Sequence, residues 1–209
     1  MNVVPTQQPA ALAPWFLDWW FAPWEYAAGQ EDLLPQAAGL AAQRDGYRLW
    51  CRRAGIAPDL PAHFDASWQV VALRKHNDFL RCAHLFGGLF AAREHNFDEL
   101  GQLPRETRLW CLGVALTQPL QTARHGSRRA LAGGIEVRGL LELALRLEQG
   151  FPGMWSRLAL MLPAPLSTLL ASALDVGDGV AVAELASPEQ ARLQRCWKIC
   201  AARAKTVVA

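Results

Sequence analysis

Cys82 shares one stretch with His76 and His84, the residue types a thiolate nucleophile and its general base would require. All three fall within a single predicted helix. Nothing nearby announces the electropositive, accessible pocket that lowers a thiol's pKa, so these side chains read as packing residues. Cys196 and Cys200 stand four apart, a spacing that turns both toward one side of a helix. Structural zinc takes four ligands, and no second pair lies within sequence range, so these two also read as small core residues. The two histidines lack His-Glu-x-x-His spacing, and the chain holds no Gly-x-x-x-x-Gly-Lys-Ser/Thr loop, Gly-x-Ser-x-Gly elbow or dinucleotide fingerprint. Its acids are too scattered to nominate a carboxylate pair. The residues therefore predict no catalysis, no cofactor and no metal.

What remains is surface chemistry. Arg44, Arg48 and Arg52 repeat every four residues, which places them along one exposed ridge. Arg124, His125, Arg128 and Arg129 form a second basic cluster. Trp15, Phe16, Trp19, Trp20, Phe21, Trp24 and Tyr26 put seven aromatics into twelve residues. Interfacial membrane helices normally carry lysine or arginine on the polar face, whereas this stretch holds only Asp18 and Glu25. Core packing or a protein interface is the reading that remains.

The elements that must position these residues are helical. The stretch Leu103 to Leu131 is read as the organising one: Leu109, Leu112, Leu116 and Leu120 recur at helical spacing, Trp110, Val114 and Ala115 widen the stripe, and burial is predicted. Pro104 suits a helix opening, and Pro119 forces a break near Gln118. Glu31 to Ala54 predicts one or two helices interrupted at Gly39 and Gly46, followed by a linker from Gly55 to His63. Asp65 caps a long predicted helix from Ser67 to Arg93, whose seam is Ala72, His76, Phe79, Ala83, Phe86 and Phe90, with Gly87 and Gly88 positioned for a close crossing. Ile135 to Leu147 and Leu166 to Leu174 are predicted helical; Met154 to Pro163 alternates as a strand would but reads as a helix among helical neighbours, and Gly177 to Leu185, the other place that could hold a strand, reads as a loop through its glycines. Ser187, Pro188 and Gln190 start a final helix with Leu193, Cys196, Trp197, Cys200 and Ala204 as its buried stripe. The fold class is all-α: a single compact multi-helix domain over residues 15–209 behind a loose lead-in, residues 1–14.

A chain of 209 residues can bury a substantial core without staples. A hydrophobic fraction of 52% against 19% charged residues excludes a disordered chain, and a net charge of +2 does not favour a nucleic-acid partner. Five scattered cysteines without a Cys-x-x-Cys pair or a secretory segment predict a reducing cytosolic compartment. No window is apolar enough to predict a transmembrane helix.

Three local patterns resemble a known family. They are Phe21, Pro23 and Tyr26; then Leu103, Pro104, Leu109, Leu112, Gly113 and Leu116 followed by Arg128 and Arg129; then Trp155, Arg157, Leu158, Leu160, Leu162 and Pro163. In this order they resemble the accessory K-type subunits of bacterial type III secretion systems, the SctK or YscK group and especially its Hrp-cluster branch. The resemblance implies a non-enzymatic, α-helical adaptor in the bacterial cytoplasm, on the cytoplasmic face of the injectisome. Its implied partners are the D-type inner-membrane ring protein and the Q-type sorting-platform protein, with peripheral membrane association through them. Arg128 and Arg129, with Trp19, Trp20 and Trp24, are the candidate partner contacts. Two alternatives come from other classes: an anion binder, for nucleic acid or acidic lipid, using Arg44, Arg48, Arg52 and the C-terminal basic face, and a secretion chaperone.

Overall fold

The structure is a computed structural model that describes residues 11–28, 40–122, 133–175 and 187–206. Pro14, at a position where its missing N–H costs nothing, opens α1 (Pro14–Phe21). A 3-10 turn (Pro23–Glu25) follows. Before α1, Ala13 N–H donates to Gln69 Oε1 at 2.8 Å and Leu12 packs on the core, so the end of the predicted lead-in is tied to the body. Residues 1–10 lie outside the described residues.

Helix α2 (Leu40–Ala54) is continuous through Gly46, where an interruption was predicted; residues 31–39 of that prediction lie outside the described residues. Gly55, at φ +69°, then turns the chain into an irregular linker. The single long helix predicted from Ser67 to Arg93 is two elements. A 3-10 turn (Ala66–Val71), capped by Asp65 accepting from Ser67 N–H at 2.9 Å, gives way at an extended Ala72, and α3 runs His76–Arg93. The cause is tertiary. Trp19 Nε1 donates to Leu73 O at 2.9 Å, taking a carbonyl that a continuous helix would have used internally.

The short α4 (Phe97–Gly101) is capped by Asn96, and α5 (Arg105–Thr117) ends just before Pro119, as the prolines predict. The carbonyls beyond its end are met from other helices: Pro119 O by Arg192 and Gln121 O by Arg146, each at 3.1 Å. Helices α6 (Gly134–Gly150), α7 (Met154–Ala159), α8 (Ala164–Asp175) and α9 (Ser187–Thr206) complete the order. The predicted loop Gly177 to Leu185 lies outside the described residues, among which no strand occurs.

Helix α6 is buried almost all round and crosses α3, with α9 and α5 packed against other faces of α3. The α3–α6 crossing is backbone on backbone. A Cβ on Gly87 would fall 1.9 Å from Ile135 O, and one on Gly139 would fall 2.0 Å from Ala83 O. Only glycine at both points permits this approach. Core side chains from α1 through α9 form one hydrophobic cluster, with a small satellite of Trp50, Cys51 and Ile56 under α2. The predicted stripe of α9 is fully buried.

Helix α5 departs from its predicted role. Its buried residues are Cys111 and Ala115, whereas Leu109 is 58% and Leu116 83% exposed. The organising element of the fold is the α3–α6 pair. The physical reason is that α5 carries apolar residues on both faces, and the narrow face of small residues is the one that fits beside α3: Cys111 Sγ lies against Gly88, where a Cβ would approach it to 2.8 Å.

Candidate interaction surface

The aromatic segment folds around one buried cation. Arg157, fully inaccessible on α7, has its guanidinium 3.9 Å from the centre of the Trp20 ring. Its Nη1 donates to Trp20 O at 2.8 Å, and its Nη2 donates to Ala57 O at 2.7 Å and Tyr47 Oη at 3.0 Å. The Tyr47 hydroxyl in turn donates to Pro58 O. One side chain thus fastens α1, α2 and the linker after α2. Tyr26 stacks on Trp19 with centroids 4.7 Å apart and planes at 7°, and Ala28 N–H donates to Leu160 O at 2.8 Å. The first and third patterns that carry the family resemblance therefore meet in space. Their contact is internal.

This geometry removes two predicted contacts. Trp19 and Trp20 are each 1% exposed. Burying an indole of about 200 Å² is worth roughly 5 kcal/mol gross, comparable with the whole stability of a small domain, so neither ring is free to meet a partner while the chain is folded. Trp24 keeps a half-buried position, edge-on to Tyr47 and Trp50 at 6.3 and 6.1 Å. Arg128 and Arg129 lie outside the described residues.

Several surfaces stay open among the described residues. On α2, Arg44, Arg48 and Arg52 are exposed as predicted; Arg44 and Arg48 border a groove of about 590 Å³ shared with Phe21, Trp24, Tyr47 and Asp59. On α5, Leu109, Gly113 and Leu116 follow each other at i, i+4 and i+7 and make one exposed stripe, with Arg105 beside its start. A Cβ on Gly113 would meet nothing within 4 Å. A glycine in mid-helix costs about 1 kcal/mol relative to alanine, and no contact among the described residues accounts for it here. A further groove lies between Trp15 and α9.

The titratable groups are set by burial. Desolvation pushes the Cys111 thiol up to about 12 and Cys196 up to about 11, and raises Cys82 and Cys200 well above the ordinary thiol range. Such thiols stay protonated and poorly nucleophilic at neutral pH. Burial also lowers His84, while His76 Nδ1 pairs with Met161 O and fastens the start of α3 to the turn after α7. Among the described residues no group of three His, Cys, Asp or Glu side chains is placed to hold a metal ion. Among the internal charges that sequence reading missed is Arg138 on α6, which binds Glu99 at 2.7 Å and also Glu94, anchoring α4. No pattern flagged it, because the three residues come from separate segments. No helix among the described residues is long and apolar enough to cross a membrane.

Fold and surface together define an all-α protein with apolar helix faces left open to solvent. The sequence matches no family model, and no curated protein or solved structure matches the chain.

Proposed function

We propose that the chain is a non-enzymatic adaptor of a bacterial type III secretion system, joining the Q-type sorting-platform protein to the D-type inner-membrane ring protein on the cytoplasmic side. The observation that carries this reading is the α5 stripe. Leu109, Gly113 and Leu116 belong to the residues that resemble the K-type family, yet both leucines are left largely exposed and a Cβ on Gly113 would meet nothing within 4 Å among the described residues. A partner helix laid along the stripe would bury both leucines, and the glycine between them would let its backbone approach closely. Of the other resemblance-carrying residues, Arg157, Trp155 and Leu158 are buried and hold the shape.

The test is capture of the purified Q-type and D-type proteins by the chain and by Leu109→Lys/Leu116→Lys. The double variant should keep its helical circular dichroism and lose at least tenfold in affinity for one partner, about 1.4 kcal/mol. Undiminished capture of both would remove the stripe from the reading, and failure of the unaltered chain to bind either protein would end it.

A second reading is favoured by the α2 ridge, where Arg44, Arg48 and Arg52 form no ion pair among the described residues. In that reading the chain binds an anionic polymer or surface. Such binding falls steeply with salt, whereas an interface centred on leucines does not.

A further inference from the structure

A groove of about 840 Å³ runs between Trp15 of α1, the segment from Val70 to Lys75, and the outer face of α9. Its floor is apolar and small: Val70, Ala72, Leu73, Ala201 and Ala202. Trp15, 46% exposed, forms one wall. Its rim is basic. Lys75, Lys198 and Lys205 are exposed and have no ion-pair partner among the described residues; Arg74 is paired with Glu25, and Asp78 is the one acid on the lining. Lys198 and Lys205 are seven residues apart on α9, about 10.5 Å along its axis, and Ala201 and Ala202 lie between them. Small residues flanked by like charges at heptad spacing are the features of a helix that receives a second helix alongside.

We propose that this groove is a docking site for an acidic amphipathic helix of another protein, with apolar residues directed onto the alanines and Trp15 and glutamates or aspartates facing Lys75, Lys198 and Lys205. Charge selects this occupant. The lining presents Lys75, Lys198 and Lys205 against one acid, Asp78, and an acidic occupant complements it. A lipid surface is flat and does not enter a concavity, and three separated lysines around an apolar floor do not follow a phosphate backbone. With no strand among the described residues, strand addition is not open to a partner here, and small residues between heptad-spaced lysines on α9 suit a helix laid in the groove. The site is separate from the α5 stripe and does not depend on the secretion reading.

The experiment titrates the full chain against a fluorescent synthetic peptide of about 21 residues, long enough to hold a helix when bound, with leucine at the a and d positions of each heptad and glutamate on the flanks. Anisotropy should report saturable binding. Lys198→Glu/Lys205→Glu should weaken it about tenfold, Trp15→Ala should weaken it as well, and Leu116→Lys should leave it unchanged. A peptide with lysine in place of glutamate should not bind. Absence of binding by the acidic peptide, equal binding of both peptides, or no change in the double lysine variant overturns the proposal. Two other outcomes also overturn it: stronger lysine-dependent retention on phosphatidylglycerol vesicles than on the peptide, which assigns the face to lipid, and a lysine-dependent dimer in light scattering, which assigns it to a second copy. The lysines are exposed and their variants should keep the helical circular dichroism.

Discussion

Arg157 is carried into the core without a carboxylate. Its charge is met by the carbonyl oxygens of Trp20 and Ala57, the Tyr47 hydroxyl and the face of an indole. Hydrogen bonds to a charged group are worth about 1.5–3 kcal/mol each, and deleting the donor leaves buried carbonyls unanswered. Arg157→Met should therefore destabilise the chain by about 3 kcal/mol, read as a lower urea midpoint. Arg157→Lys should recover only part of this loss, because an ammonium cannot span three acceptors and stack on Trp20. The same neighbourhood sets a pH dependence. Burial, opposed in part by Arg157, pushes Tyr47 up to about 12, and burial alone raises Cys111 to about the same value. In the unfolded chain these groups release protons near 10 and 8.5–9, so above pH 9 the folded state binds more protons than the unfolded one and stability falls as pH rises. The urea midpoint should hold steady up to about pH 8.5 and then decline progressively to pH 11. None of this was legible in the sequence, where Arg157 sits in a run of alternating apolar residues and its partners are more than ninety positions away.

At the scale of elements, glycines separate two kinds of contact. Gly87→Ala or Gly139→Ala would drive a methyl group into a carbonyl at about 2 Å, and either should cost several kcal/mol or prevent folding, visible as lost cooperativity in thermal unfolding. Gly113→Ala meets open space and should raise stability by about 1 kcal/mol while weakening capture of whichever partner covers α5. That opposition between a gain in the free chain and a loss in the complex is what a docking seam requires. Sequence periodicity located most helices, because caps, prolines and apolar spacing are local: Asp65, Pro104, Pro119 and the α9 stripe all act where they were read. It misassigned what depends on neighbours. The run Ala72, Leu73, Arg74, Lys75 holds no breaker residue, yet Trp19 breaks it from outside. Periodicity read α5 as apolar over most of its circumference and predicted burial, and could not tell that the face of Cys111 and Ala115 is covered while Leu109 and Leu116 stay exposed.

For the molecule as a whole, the α5 stripe and the lysine-rimmed groove of α9 are separate surfaces, and both elements pack on α3. If each takes its own partner, Leu116→Lys and Lys198→Glu/Lys205→Glu should impair different complexes, and combining them should add the two losses without further effect on folding. Isothermal titration with each partner measures this directly. At the crossing of α3 and α6, Gly87 and Gly139 set main chain on main chain with no side chain interposed. Such a joint has nothing soft in it: no rotamer to flip, no methyl group to yield, and no larger residue that evolution could insert to change its angle. A push or pull borne by α3 would consequently reach α6 undamped, as through a welded bracket and not a spring.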